Sequence, residues 1–216
     1  MLLEKLLAQP DLARGDLDQF VVLDELERLF QRELDRRRQH HGVIFAGGTP
    51  VNASTRLEDD FQLLASQVEA LVTEKTRTLL LAYPNNPTGA VYSDDTVDRL
   101  ARMTTRAADF RIFWDNAYAV HYFGKRPARV RSILDACKAA GNPDRPFLFG
   151  STSKITFPGA GLAMMAGSTR NMAWVRDHLF FQTIGPDKLN QLRHVRFFSD
   201  LASIHAHMEK HAAIVR

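Results

Sequence analysis

Lys154 lies in Gly150-Ser151-Thr152-Ser153-Lys154-Ile155-Thr156, a run of small and hydroxylated residues behind the apolar segment 146–149. A lysine amine condenses with a carbonyl cofactor to a Schiff base once burial or neighbouring charge lowers its pKa. The small residues around it leave room for a bulky anionic group against the backbone. Two further clusters carry related chemistry. Asp115-Asn116-Ala117-Tyr118 follows the segment 110–114, and Asn85-Asn86-Pro87-Thr88-Gly89 follows 78–83. A carboxylate such as Asp115 can pair with a protonated ring nitrogen and keep the ring an electron sink. The Tyr118 phenol and the Asn86 amide can hydrogen-bond a ring phenolate. The Ser151 hydroxyl, with backbone N–H groups of the following turn, can hold a phosphate. Taken singly, each has a plainer role: a surface lysine, a turn former before proline, a loop cap. It is the agreement of five roles across three successive segments that argues for a site.

The clusters share a site only if the segments ahead of them are neighbouring strands. Residues 78–83 form a continuous apolar run, the pattern of a strand buried on both faces of a parallel sheet. Residues 110–114 and 146–149 read the same way. Between them, Ser93 is a natural N-cap, with Asp94 and Asp95 in the first turn of a helix running to about residue 107. Residues 132–140 predict a second helix, stopped by Gly141-Asn142-Pro143. This alternation predicts an α/β fold with a largely parallel sheet. In such sheets, ligands bind beyond the carboxyl ends of the strands, where all three clusters fall. Upstream, residues 16–38 place Phe20, Leu23, Leu26, Leu29, Phe30 and Leu34 at spacings of three and four, which predicts a helical segment over 1–41. Residues 42–46 read as a short strand, 51–60 as a polar connection and 61–72 as a helix. Downstream, the apolar run 162–166 precedes helices over 171–181 and 187–215, joined at Gly185-Pro186.

Composition narrows the classes of function. The 28 basic and 25 acidic residues leave a net charge of +3, too small a surplus to suggest a nucleic-acid partner. A single cysteine, Cys137, permits no intrachain disulfide and fits a reducing, cytoplasmic setting. Cys137 reads as a small buried helix residue, not a nucleophile. No apolar run has the length of a membrane span, and the N-terminus lacks a signal-peptide core. His205, His207 and His211 have no carboxylate or cysteine at ligand spacing, so no metal site is expected.

Asn85-Asn86-Pro87-Thr88-Gly89, Trp114-Asp115-Asn116-Ala117-Tyr118 and Ser151-Thr152-Ser153-Lys154, in this order and at these separations, resemble the fold-type I pyridoxal-phosphate aminotransferases. The resemblance is closest to the class I/II branch and its aspartate aminotransferase-like, MocR-related subfamily. It extends through Gln182-Thr183-Ile184-Gly185-Pro186 and Asn190-Gln191-Leu192-Arg193-His194. It implies that Lys154 is the Schiff-base lysine and proton carrier, that Asp115 pairs with the pyridine nitrogen, that Tyr118 and Asn86 bond the phenolate oxygen, and that Ser151 binds the phosphate. It implies pyridoxal 5'-phosphate as cofactor, an amino acid and a 2-oxo acid as substrates, and a homodimer.

The chain departs from that pattern in two respects. Many class I/II members carry a phosphate-binding arginine in a Pro-Gly-x-Arg context after the lysine, whereas Pro158-Gly159 is followed here by Ala160-Gly161. Backbone N–H groups near Gly159 and Gly161 are the expected substitute. Family members are also about twice as long. The expected organisation is an N-terminal helical segment over 1–41, an α/β cofactor-binding core over 42–185, and the start of a connecting helix over 186–216 toward a small domain, the whole resembling a truncated family member. The expected activity is amino-group transfer through Lys154. The alternatives are a pyridoxal-phosphate-dependent lyase, or a non-catalytic remnant or ligand-sensing module of the same fold. Residues 1–41 are too short for a helix-turn-helix domain and linker of the kind MocR-related regulators carry.

Overall fold

The protein is described by a computed structural model, covering residues 19–24, 43–44, 46–86, 88–121, 129–156 and 159–215. Six strands form one sheet: β1 (Gln19–Asp24), β2 (Thr49–Ser54), β3 (Thr76–Ala82), β4 (Arg111–Asp115), β5 (Pro146–Ser151) and β6 (Ala163–Gly167). Their order is β2-β1-β3-β4-β5-β6. The first five are parallel and β6 runs antiparallel to β5. This is the α/β, mostly parallel architecture expected from the sequence.

Alternation along the central strands builds two cores. Leu79 and Leu81 of β3 and Ile112 and Trp114 of β4 face one side. There they pack with α1 (Ala65–Leu71), α2 (Asp94–Arg102) and α3 (Ile133–Ala139) through Val68, Val97, Leu100 and Ile133. Phe113 of β4 and Phe147 of β5 face the other side, against Val43 and against Val175 of α4 (Thr169–Thr183). Burying both faces is what the continuous apolar runs required. The caps follow from chemistry already visible in the sequence. Ser93 Oγ accepts from Thr96 N at 3.1 Å at the start of α2, and Ser132 Oγ accepts from Asp135 N at 3.2 Å at the start of α3.

Upstream of the central sheet the sequence expectations need correction. Of the helix expected over 16–38, the described residues Gln19–Asp24 form a strand, and the rest lies outside the described residues. The run Phe20-Val21-Val22-Leu23 satisfies strand and helix patterns alike, and pairing with β2 on one side and β3 on the other decides it. The sheet therefore begins ahead of the expected boundary at residue 42. Of the strand expected over 42–46, Val43 and Ile44 are helical, and Gly47 N–H and Gly48 N–H close the turn on Ile44 O and Val43 O, both at 2.9 Å. The strand comes next, at Thr49–Ser54, running into what read as a polar connection over 51–60. Pro50 is tolerated there because β2 is the outermost strand on its side. Downstream, the helix expected over 187–215 is two: α5 (Lys188–Phe197) and α6 (Leu201–Val215). Asp200 accepts from Ser203 N at 2.8 Å through Oδ1 and so starts α6 afresh.

Candidate active site

The carboxyl ends of β3, β4 and β5 lie side by side. Ala82, Asp115 and Phe149 are partners in register across the three strands. Just beyond, Tyr83 N–H donates to Asp115 O at 2.8 Å, and Asn116 N–H donates to Phe149 O at 2.7 Å. The polar clusters start within a few residues of this row, as the sequence required. By strand alternation Asp115 and Ser151 project to the same face as Phe113 and Phe149.

Asp115 is partly buried. Its Oδ1 accepts from Ala117 N–H at 3.1 Å, and no ion pair joins it to a basic side chain among the described residues. Burial pushes its carboxyl above the ordinary range, and the Ala117 hydrogen bond only partly offsets this. Beside it, Asn116 Oδ1 is buried without a hydrogen-bond partner. Tyr118 sits three residues on, its ring against His121 with centroids 5.5 Å apart. His121 Nε2 lies 3.4 Å from Lys154 O, so the loop after β4 reaches the lysine turn.

Ser151, the last residue of β5, opens that turn. Its Oγ accepts from Ser153 N–H at 3.1 Å and lies 2.6 Å from Ser153 Oγ. Ile155 N–H and Thr156 N–H both donate to Thr152 O, at 3.0 and 2.9 Å, which curls the chain around Lys154. The lysine side chain is exposed. Asn86 is exposed too, at the tip of a turn organised by its neighbour. Asn85 is buried, its Oδ1 accepting from Thr88 N–H and Thr88 Oγ1–H at 3.3 and 2.9 Å and its Nδ2–H donating to Tyr92 OH at 3.4 Å. Asp115, Tyr118, Ser151 and Lys154 are thus gathered at two adjoining strand ends and their loops, while Asn86 stands on a third loop with no hydrogen bond to them among the described residues.

The sequence reading missed how the lysine turn is held. His194 and Asn190 of α5 reach it, and Gly161 closes on Ser153 so tightly that a Cβ there would lie 2.5 Å from Ser153 N and Cα. The i, i+4 spacing of Asn190 and His194 put them on one helix face, but nothing local said what that face would meet.

The family model described as aspartate amino-transferase matches residues 54–216. The chain belongs to the aspartate aminotransferase family. An aspartate aminotransferase of Corynebacterium glutamicum is 46% identical over 129 residues, 60% of this chain and 30% of that protein. The crystal structure of an aspartate transaminase from the same organism superposes with a TM-score of 0.80 at 34% identity, covering 95% of this chain and 46% of that one. Aspartate aminotransferase of Thermus thermophilus, at 21% identity and a TM-score of 0.73, shares the fold over 97% of this chain and 49% of its own. The chain thus spans about half the length of these solved aminotransferases.

Among the described residues, no helix is long and apolar enough to cross a membrane. The His207 and His211 rings meet on α6 with centroids 4.2 Å apart, tilted by 51°. No group of three metal-capable side chains converges among the described residues. Cys137 is buried, and burial drives its thiol up to about 12.

Proposed function

We propose that this chain is the cofactor-holding part of a pyridoxal-phosphate-dependent aminotransferase that moves an amino group between an aspartate-like amino acid and a 2-oxo acid. The observation that carries the reading is the row Ala82–Asp115–Phe149, which sets a half-buried carboxylate, with no cationic partner among the described residues, between the strand ends that lead to Asn86 and Lys154. The donor set fits the group. A protonated pyridine nitrogen would give a desolvated Asp115 the cation it lacks among the described residues, and a phosphate suits the hydroxyls of Ser151 and Ser153 at the head of the lysine turn.

Bound there, pyridoxal 5'-phosphate supplies an aldehyde for a Schiff base and a ring that withdraws electrons from the substrate Cα. The chain's residues do the rest. Lys154 would hold the group through its amine and, when free, would carry the Cα proton. Asp115 would keep the ring nitrogen protonated. Tyr118 and Asn86 would donate to the phenolate oxygen. Ser151 would donate to the phosphate, with the backbone N–H groups of 159–161 in place of an arginine. The exposed Phe181, Ile184 and Leu189 at the junction of α4 and α5 are apolar surface of the kind that subunit contacts bury and support a homodimer, while the cytoplasmic setting rests on the single cysteine alone.

A second reading, a ligand-binding relative without turnover, draws on the Ala160-Gly161 sequence where family members carry the phosphate-binding arginine. Incubation with pyridoxal phosphate tests the first step of both. The proposal predicts a visible absorbance band that borohydride fixes and Lys154→Ala removes. A soluble, folded chain with no such band contradicts it. A band without amino-group transfer to any 2-oxo acid favours the second reading.

A further inference from the structure

We propose that His194 is a positioning residue for Lys154, clamping the lysine turn from α5; the purpose of the clamp rests on the Schiff-base reading of Lys154. His194 is the buried residue of α5, a helix whose other apolar side chains, Leu189, Leu192, Val195 and Phe197, are exposed. The imidazole therefore attaches this helix to the lysine turn through polar contacts. Its Nε2 lies 3.0 Å from Thr156 Oγ1 and 3.4 Å from Thr152 Oγ1. These two threonines stand two residues on either side of Lys154, so one ring spans the turn that presents the amine.

Donor and acceptor accounting shows how the ring is set. Nδ1 lies 2.9 Å from Asn190 O, a carbonyl that can only accept, so Nδ1 carries a hydrogen. In the neutral ring Nε2 is then the acceptor and takes a threonine hydroxyl. Thr156 Oγ1–H also has Thr152 O within reach at 2.9 Å. Thr152 Oγ1 accepts from Leu162 N–H at 2.7 Å and retains its own hydrogen for Nε2. The clamp thus ties the turn to the chain segment that enters β6. A second tie runs parallel to it, with Asn190 Nδ2–H donating to Gly161 O at 3.2 Å. The contacts from α5 to Thr152, Thr156 and Gly161 bridge 29 to 42 residues of sequence, whereas the His194–Asn190, Thr152–Thr156 and Thr152–Leu162 links are short. A buried side chain making such bonds rigidifies what it holds, and a nucleophilic amine needs its backbone fixed.

The test uses the 216-residue chain and two substitutions. His194→Phe keeps the bulk and removes both ring nitrogens; His194→Gln returns a polar atom at about the reach of Nε2. Amide hydrogen exchange at Ile155, Thr156 and Leu162 should quicken roughly tenfold in His194→Phe and return to within about threefold of wild type in His194→Gln, with β3 amides unchanged in both. The borohydride-fixable band with pyridoxal phosphate should form roughly tenfold more slowly in His194→Phe and recover in His194→Gln. Thr156→Val removes the opposing hydroxyl without touching α5 and should reproduce the His194→Phe pattern even if that variant folds poorly. Unchanged exchange in Thr156→Val and His194→Phe, with a normal band, overturns the clamp. A wild-type chain that forms no band overturns the reading of Lys154 and the purpose assigned to His194, while exchange in the turn still decides whether the clamp exists. The two failures are therefore distinguishable.

Discussion

The turns after β3 and β5 lie at the same end of the sheet, on either side of β4, and they are built by opposite means. The turn after β3 is self-contained. Asn85 satisfies Thr88 three residues on, its N–H meets Ala90 O, and Gly89 N–H returns to Asn85 O. The turn after β5 has a local curl at Thr152 but depends on His194 and Asn190 from a helix that begins more than thirty residues later. A loop fixed by its own residues can be read from its sequence and altered without disturbing its neighbours. A loop fixed from a distance cannot, and it passes any change in the distant helix on to the residue it carries.

Substitutions should expose this difference, the largest at Gly161. An alanine Cβ there would meet Ser153 backbone atoms at 2.5 Å, and backbone cannot yield as a side-chain tip can. Gly161→Ala should cost about 3 kcal/mol of unfolding free energy and abolish the band with pyridoxal phosphate, as urea melts and absorbance would show. Next is Asn85→Ala, which removes the hydrogen bonds to Thr88 and Tyr92 OH and should cost about 2 kcal/mol. Its exchange signature should stay within residues 85–92. If it loosened Ile155 and Thr156 as much as His194→Phe does, the contrast between the two turns would collapse.

Asp115→Asn probes the strand end between them. The neutral amide removes a desolvated charge but can still accept from Ala117 N–H. Since burial raises the Asp115 pKa in the folded chain, the ionised carboxylate weakens folding as pH rises above its unfolded value near about 4. The variant should therefore be slightly more stable than wild type at neutral pH in the absence of cofactor, yet bind pyridoxal phosphate roughly tenfold or more weakly in equilibrium titrations. Loss of both together would mean that Asp115 is a structural cap.

The smallest effect near neutrality is at Cys137 on α3, remote from both turns. Its thiol is held protonated up to about 12 in the folded chain. A raised thiol pKa contributes stability below the unfolded value of about 8.5, and that contribution disappears as pH climbs toward the folded one. Cys137→Ala should flatten the alkaline limb of a stability–pH curve, and native Cys137 should resist alkylation at pH 8 until denaturant is added.

What was legible in the sequence follows the same division between local and distant causes. The apolar runs that became β3, β4 and β5, the Ser93 and Ser132 caps, and the polar clusters beyond the strands all announce themselves within a few residues. The segment 19–24 did not, because Phe20 and Leu23 also fit helical spacing and only pairing with β2 and β3 makes it a strand. The sequence Thr49-Pro50-Val51-Asn52-Ala53-Ser54 alternates only over residues 51–54, behind a proline, too briefly to betray β2, and an outer position lets it keep that proline. The Asp200 cap that splits α5 from α6 was readable, since Asp200 precedes Leu201 with Ser203 at the reciprocal position. His194 was not, because its partners lie 38 and 42 residues away.

The most direct test is to locate the reduced adduct. After incubation with pyridoxal phosphate, borohydride reduction and proteolysis, mass spectrometry should find the phosphopyridoxyl group on the peptide containing Lys154, at close to one per chain, and at no more than trace levels on Lys138 or Lys188. Label spread evenly over the surface lysines, with Lys154 no more modified than the others, would contradict the assignment of Lys154 and the site built around it.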